Sequence, residues 1–98
     1  MIRNTAFAAL ILLGAACSST DQVDGALLAE EKGCIACHGA GGQSTAETYP
    51  NLHMQWERYL RVQLLKYRSG ERENAIMNGF AVGLSDDEIR ALAKHYGT

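Results

Sequence analysis

The chain has 98 residues and a formal net charge of −2, with 47% hydrophobic and 20% charged residues. This length predicts a single domain. The slight excess of acidic residues argues against a nucleic acid partner, because nucleic acids bind basic surfaces. The same charge does not identify a protein partner.

Residues 1–16 predict an export signal. Arg3 is the one charged residue in this segment, and the run from Ala6 to Ala16 contains only apolar and small residues. A charged start followed by a short apolar stretch is typical of such signals. The apolar run is too short to cross a bilayer as a helix, which needs about 20 residues.

Cys17 is a candidate for lipid attachment. The segment Leu13-Gly14-Ala15-Ala16 precedes it, and small residues before a lone cysteine resemble a bacterial lipobox. In that pattern Cys17 becomes the lipid-modified first residue of a lipoprotein, and residues 17–23 would form a polar tether to the membrane. The alternative is ordinary cleavage near Ala16, which would release a soluble periplasmic protein.

Residues 24–98 make up the predicted folded domain, which begins with a helix over Asp24–Gly33. Asp24 is a suitable N-cap, Leu27 and Leu28 are apolar, and Gly33 ends the helix. A domain of about 70 residues gains little stability from hydrophobic burial alone. We therefore expect an additional element that holds the small core together.

Cys34-Ile35-Ala36-Cys37-His38 directly follows this helix. A C-x-x-C-H run is the attachment signature of a c-type haem. The thiols of Cys34 and Cys37 would form thioethers with the porphyrin vinyl groups, and His38 would bind the iron. The run occurs once, so the sequence predicts one haem c, whose apolar face would complete the core.

A loop over Gly39–Asn51 follows, because this segment is rich in Gly and Pro and shows little periodicity. The next predicted helix spans Gln55–Ser69 and ends at Gly70. Its apolar residues recur at three- and four-residue steps and form one stripe: Trp56, Tyr59, Leu60, Leu64 and Tyr67.

A second predicted loop covers Glu71–Leu84, and a third helix covers Asp86–Tyr96. Ser85 and Glu88 form an S-x-x-E capping box at the start of this helix. No segment alternates between apolar and polar residues with a period of two. The sequence therefore predicts an all-α fold with three main helices.

Met77 is the preferred second iron ligand. Met54 lies at the start of the predicted helix Gln55–Ser69, directly before Gln55, which fixes its direction, whereas Met77 lies in a predicted loop that can fold across the opposite haem face. A methionine elsewhere is usually core filler. His53 is a second possible ligand that would lower the reduction potential, and His95 is expected to be structural.

The chain resembles a class I cytochrome c, of the short bacterial cytochrome c553 and c4 group. Five segments carry the resemblance in the order of the family and cover most of residues 24–98: Gly25–Gly39, Tyr49–Leu52, Tyr59–Arg72, Met77–Phe80 and Leu84–Ala93. The ordered set is more specific than C-x-x-C-H alone.

The resemblance implies a class I cytochrome c fold and a role for each site residue. Cys34 and Cys37 would carry the haem, and His38 and Met77 would bind its iron. Pro50 matches the proline whose backbone carbonyl accepts a hydrogen bond from the proximal histidine, which orients that ligand. Gly25 matches the small residue where the first and last helices cross.

The function predicted from these features is electron transfer by a monohaem cytochrome in the bacterial cell envelope. Two strong protein ligands leave no open iron position for a substrate, so we expect an electron carrier rather than an enzyme. Its partners would be redox proteins that dock briefly at an exposed haem edge.

The sequence leaves two alternatives open. A haem enzyme or ligand sensor would need a labile sixth ligand, such as a Met77 that dissociates. A structural zinc module would use Cys34, Cys37 and a histidine, but the sequence has no second ligand pair at the spacing of a zinc finger.

Overall fold

The computed structural model describes residues 22–98. The predicted export signal and Cys17 lie outside the described residues. Within them the chain forms five α-helices and no β-strand: α1 (Gly25–Glu31), α2 (Cys34–His38), α3 (Glu57–Ser69), α4 (Ala75–Ala81) and α5 (Asp86–Tyr96). This arrangement confirms the predicted all-α fold, with α1, α3 and α5 as its main helices.

The start of α1 matches its prediction. The Asp24 carboxylate accepts hydrogen bonds from the backbone N–H groups of Ala26 at 3.0 Å and Leu27 at 3.2 Å, which satisfies two donors that have no partner inside the helix. Gly33 follows the helix with a φ of 84°. This left-handed conformation favours glycine and separates α1 from α2.

Helix α3 begins at Glu57, two residues later than predicted. The backbone of Gln55 instead pairs with the end of the chain: its carbonyl accepts from Thr98 N–H at 2.8 Å, and Glu57 N–H donates to the Thr98 carbonyl at 3.0 Å. The end of α3 agrees with the prediction, because Gly70 adopts a φ of 88° directly after Ser69.

The predicted loop Glu71–Leu84 is wrong in its middle, where the chain forms α4. Asn74 starts this helix, and its Oδ1 accepts from the N–H groups of Ile76 at 3.1 Å and Met77 at 3.0 Å. Seven residues are too few to show a clear helical period, and Gly79 lies among them. Met77 is therefore on a capped helix and not in a loop.

Helix α5 packs against both α1 and α3. The predicted capping box is present: Glu88 N–H donates to the Ser85 hydroxyl at 3.1 Å, and Ser85 N–H donates to the Glu88 carboxylate at 2.9 Å. The contact with α1 is close at Gly25, where a Cβ atom would lie 2.8 Å from that of His95 and would meet the Ala91 carbonyl. Only glycine fits there.

The core lies between α1, α3 and α5 and is open on one side. Leu52, Leu64 and Tyr67 pack against it but are only partly buried. Among residues 22–98, the buried apolar side chains are few: Leu28, Ala29, Leu60, Ala81, Leu84, Ile89, Leu92, Ala93 and Tyr96. The open side is where the candidate site lies.

Candidate functional site

Helix α2 consists of the C-x-x-C-H run itself. Gly33 precedes it in the left-handed conformation, and Gly39 follows with φ 82° and ψ 161°, a combination that is essentially restricted to glycine. One helical turn between two glycines places Cys34 and Cys37 three residues apart on the same side. Both thiols are free and partly exposed.

His38 ends this turn and is only 7% exposed. Its Nδ1 lies 2.9 Å from the backbone carbonyl oxygen of Pro50. Because a carbonyl can only accept, Nδ1 donates, and the lone pair of the neutral ring is on Nε2. Within residues 22–98, Nε2 has no hydrogen-bond partner. The site thus contains a buried nitrogen that is free to bind a metal.

The loop after α2 folds back so that Pro50 reaches His38. The N–H groups of Leu52 and His53 both donate to the Gly42 carbonyl, at 2.7 and 3.0 Å. Ser44 N–H donates to Asn51 Oδ1 at 2.7 Å. These bonds close the loop, so the carbonyl that orients His38 is fixed by backbone geometry.

Two adjoining cavities of about 180 and 130 Å³ lie beside this histidine. Cys34, His38, Pro50 and Met77 line both of them. The larger cavity extends between α3 and α5, and its apolar wall consists of Leu52, Leu60, Leu64, Leu92 and Ala93. Cys37, Ile76 and Phe80 border the smaller one. Together they form an apolar slot around His38 and Met77.

Met77 is half-buried on α4 and lines the slot. The other candidate ligands lie elsewhere. Met54 is 68% exposed and has a φ of 64°, and His53 is exposed; neither lines the two cavities. His95 donates from Nε2 to the Ala40 carbonyl at 2.9 Å, which gives it a structural role.

Burial changes the ionisation of two groups beside the slot. It raises the pKa of the Cys34 thiol, because a thiolate is poorly solvated there. Burial, and to a smaller extent the negative charge of a Cys34 thiolate, raise the pKa of Tyr96 to about 12. Because both pKa values are raised, the free Cys34 thiol and the Tyr96 hydroxyl are neutral at physiological pH. The Tyr96 hydroxyl donates to the Gly39 carbonyl at 3.2 Å.

The sequence does not single out several residues of this site. It predicts Tyr67 only as part of an apolar stripe, although Tyr67 lines the slot together with Arg72. The Arg72 guanidinium lies 4.9 Å from the centre of the Tyr67 ring and donates to Gln63 Oε1 at 2.6 Å. Asn78 is also missed, because its side chain bonds to carbonyls in another helix and in the turn that follows it.

The donor set fits a haem better than a bare metal ion. Within residues 22–98, no three His, Cys, Asp or Glu side chains are grouped so that they could hold a metal, as a structural zinc site requires. Instead the slot offers one free imidazole nitrogen, one thioether and two thiols on its border. A planar apolar group that brings its own iron would use all of them.

Comparison with known proteins agrees with this chemistry. A family model described as "Cytochrome c" matches residues 22–95. Cytochrome c-554(548) of Halomonas halodenitrificans is 43% identical over 68 residues, which are 66% of this chain and 82% of that protein. Cytochrome c-553 of Helicobacter pylori is 37% identical over 68 residues, 68% of this chain and 71% of that protein.

A longer relative carries a different name. The thiosulfate dehydrogenase electron acceptor of Thiomonas intermedia is 47% identical over 68 residues, but these are only 31% of its length. The family model covers helices α1 to α4, all of α5 except Tyr96, and every other residue that lines the slot. The chain therefore belongs to the cytochrome c family and is a monohaem electron-transfer protein with one covalently bound haem c.

Proposed function

We propose that Cys34 and Cys37 carry the haem through thioether bonds and that His38 and Met77 bind its iron. The haem supplies an iron that gains and loses one electron, and the protein supplies its position and its ligands. The observation that supports this assignment is the buried Nε2 of His38 in the same slot as the Met77 side chain.

Pro50 has a positioning role in this proposal. The hydrogen bond from His38 Nδ1 to the Pro50 carbonyl at 2.9 Å selects the tautomer that leaves Nε2 free. It also orients the ring and raises its basicity, as carbonyls that accept from metal-bound histidines commonly do.

The protein acts as an electron carrier and not as an enzyme in this proposal. With His38 and Met77 both bound, the iron would have no position open for a substrate. The alternative, a haem enzyme or sensor, needs Met77 to leave the iron readily. Rapid binding of carbon monoxide to the reduced wild-type protein would favour that alternative, whereas resistance to carbon monoxide supports the carrier.

Met77→Ala tests the ligand assignment, with Met54→Ala as its matched control. A methionine thioether raises the reduction potential of a haem, so loss of Met77 should lower the potential by more than about 60 mV, a tenfold change for a one-electron couple. Loss of the exposed Met54 should leave the potential unchanged. An unchanged potential in Met77→Ala would refute the assignment.

The redox partner is proposed to dock at the border of the slot. Ile76 and Phe80 are 57% and 46% exposed, and they border the cavity that Cys37 also lines. A small apolar contact of this kind suits a brief encounter between redox proteins. The name of the longer relative suggests a dehydrogenase as one class of electron donor.

The cell envelope is the proposed location. The basis is the sequence of residues 1–16, Cys17 and the tether of residues 17–23. Among residues 22–98, no helix has the length and hydropathy needed to cross a membrane. Fractionation tests the lipid anchor: the wild-type protein should sediment with membranes, and Cys17→Ser should move it to the soluble fraction. Equal distribution of both proteins would contradict lipidation.

A further inference from the structure

The side chain of Asn78 connects three separate parts of the backbone beside Met77. Its Nδ2 donates to the carbonyl oxygens of Tyr67 at 2.7 Å and Arg72 at 2.9 Å. Its Oδ1 accepts from Asn74 N–H at 2.8 Å. Because carbonyls only accept and an N–H only donates, these three partners allow one orientation of the amide. Both amide hydrogens are used.

These bonds join the end of α3 to the start of α4. Tyr67 lies in the last turn of α3, where carbonyls have no partner inside the helix, and Arg72 belongs to the turn that follows. Asn74 is the N-cap of α4, and its own Oδ1 accepts from the Met77 N–H at 3.0 Å. Asn78 thus binds Asn74, which in turn binds the backbone N–H of Met77.

The position of α4 depends strongly on this connection. The helix has seven residues, and short helices are marginal without tertiary contacts. Ala81 is its only buried residue, while Ile76 and Phe80 on the same helix are exposed. Within the polypeptide itself, few apolar contacts therefore fix α4, and the hydrogen bonds of Asn78 join its start to the end of α3.

We propose that Asn78 is a positioning residue that keeps Met77 on the iron and resists its replacement by another ligand. The inference rests on the proposed role of Met77 as an iron ligand. Asn78 does not bind the iron. It acts by holding α4 in the one arrangement that places the Met77 side chain in the slot.

Imidazole binding to the oxidised holoprotein tests this role, because imidazole must displace Met77 to reach the iron. Its apparent affinity falls with the fraction of protein in which Met77 is bound. Asn78→Ala removes all three hydrogen bonds and should raise the apparent affinity at least about tenfold. Ligand exchange is followed by the absorption spectrum, independently of any electron-transfer activity.

Ser85→Ala is the matched control. It removes the capping box of α5 and so lowers the stability of the fold through lost hydrogen bonds at a helix start. It leaves the hydrogen bonds of Asn78 in place. Its imidazole affinity should stay within about twofold of the wild-type value. If both variants shift the affinity equally, or if Asn78→Ala shifts it less than about twofold, Asn78 has only a general structural role and the proposal is wrong.

Two further variants complete the test. Asn78→Asp keeps the size of the side chain and the acceptor for Asn74, but it cannot donate to the Tyr67 and Arg72 carbonyls. It should therefore also raise the imidazole affinity, and it serves as the test if Asn78→Ala fails to fold. Met77→Ala measures the affinity without the competitor. If Met77→Ala binds imidazole no better than wild type, the ligand assignment itself fails; if only the Asn78 variants behave like wild type, the positioning role alone fails.

Discussion

The two sides of the slot hold their proposed iron ligands by different means. His38 is buried, lies in a turn between two glycines and donates to the Pro50 carbonyl. Met77 is half-buried on a short helix that depends on the side chains of two asparagines. Backbone geometry and covalent attachment thus fix one side, whereas a few side-chain hydrogen bonds fix the other. We therefore expect substitutions to loosen the Met77 side more readily than the His38 side.

The largest expected effect is on the His38 side, from Gly39→Ala. A Cβ atom at Gly39 would collide with the Gln43 carbonyl oxygen, and φ 82° with ψ 161° is unfavourable for any residue with a side chain. We expect a loss of about 3 kcal/mol in the free energy of unfolding, measured by urea denaturation of the holoprotein. Gly41→Ala, in open space in the same loop, should change stability little. Equal losses of stability in Gly39→Ala and Gly41→Ala would show that the backbone at Gly39 is not held rigidly.

A smaller effect is expected from Tyr96, which also supports the His38 side through the Gly39 carbonyl. Its pKa without the haem is raised to about 12, against about 10 in the unfolded chain. Burial is the larger cause and persists in the holoprotein, whereas the smaller effect of a Cys34 thiolate is absent once Cys34 forms a thioether. As the pH rises from about 10 towards 12, the unfolded state loses the phenolic proton while the folded state retains it, so the free energy of unfolding falls. The contribution of Tyr96 is fully present below about pH 10.

Tyr96→Phe should remove this alkaline loss and should cost about 1 kcal/mol at neutral pH through the missing hydrogen bond. The exposed Tyr59 serves as a control, since Tyr59→Phe should retain the alkaline loss. Urea denaturation at neutral and alkaline pH measures both. An alkaline loss that persists in Tyr96→Phe would assign it to another group.

The smallest expected effect has the opposite sign and lies on the Met77 side. Gly79 is inside α4 and does not have a positive φ, and a Cβ atom added there would meet no neighbouring atom within 4 Å. Gly79→Ala should therefore stabilise the protein by about 0.5–1 kcal/mol. If the stability of α4 determines how firmly Met77 binds the iron, the apparent imidazole affinity should fall a few-fold as well. If Gly79→Ala stabilises the protein but leaves the imidazole affinity unchanged, the stability of α4 does not control how firmly Met77 binds the iron.

The elements that local chemistry determines can be predicted well. The Asp24 cap, the glycine end of α3 and the Ser85–Glu88 capping box all appear as expected, because each involves residues within one turn. Helix α4 is missed because its only strong local signal is Asn74. The start of α3 is misplaced because Gln55 pairs with Thr98, a contact that no local pattern reveals.

The residues of the site also differ in how far local sequence predicts their roles. The C-x-x-C-H run is contiguous, so residue types alone predict its chemistry. The contact between His38 and Pro50 is implied by family resemblance and not by local sequence, since the two residues lie 12 positions apart. The role of Asn78 depends on carbonyls 6 and 11 positions away, whose convergence requires the turn between α3 and α4 to be known.

X-ray absorption at the iron edge tests the central claim most directly, because it detects a sulfur ligand on the iron. The wild-type holoprotein and Met54→Ala should each show one sulfur ligand, and Met77→Ala should show none. Absence of sulfur in the wild-type protein, or its persistence in Met77→Ala, would contradict the assignment of Met77 to the iron.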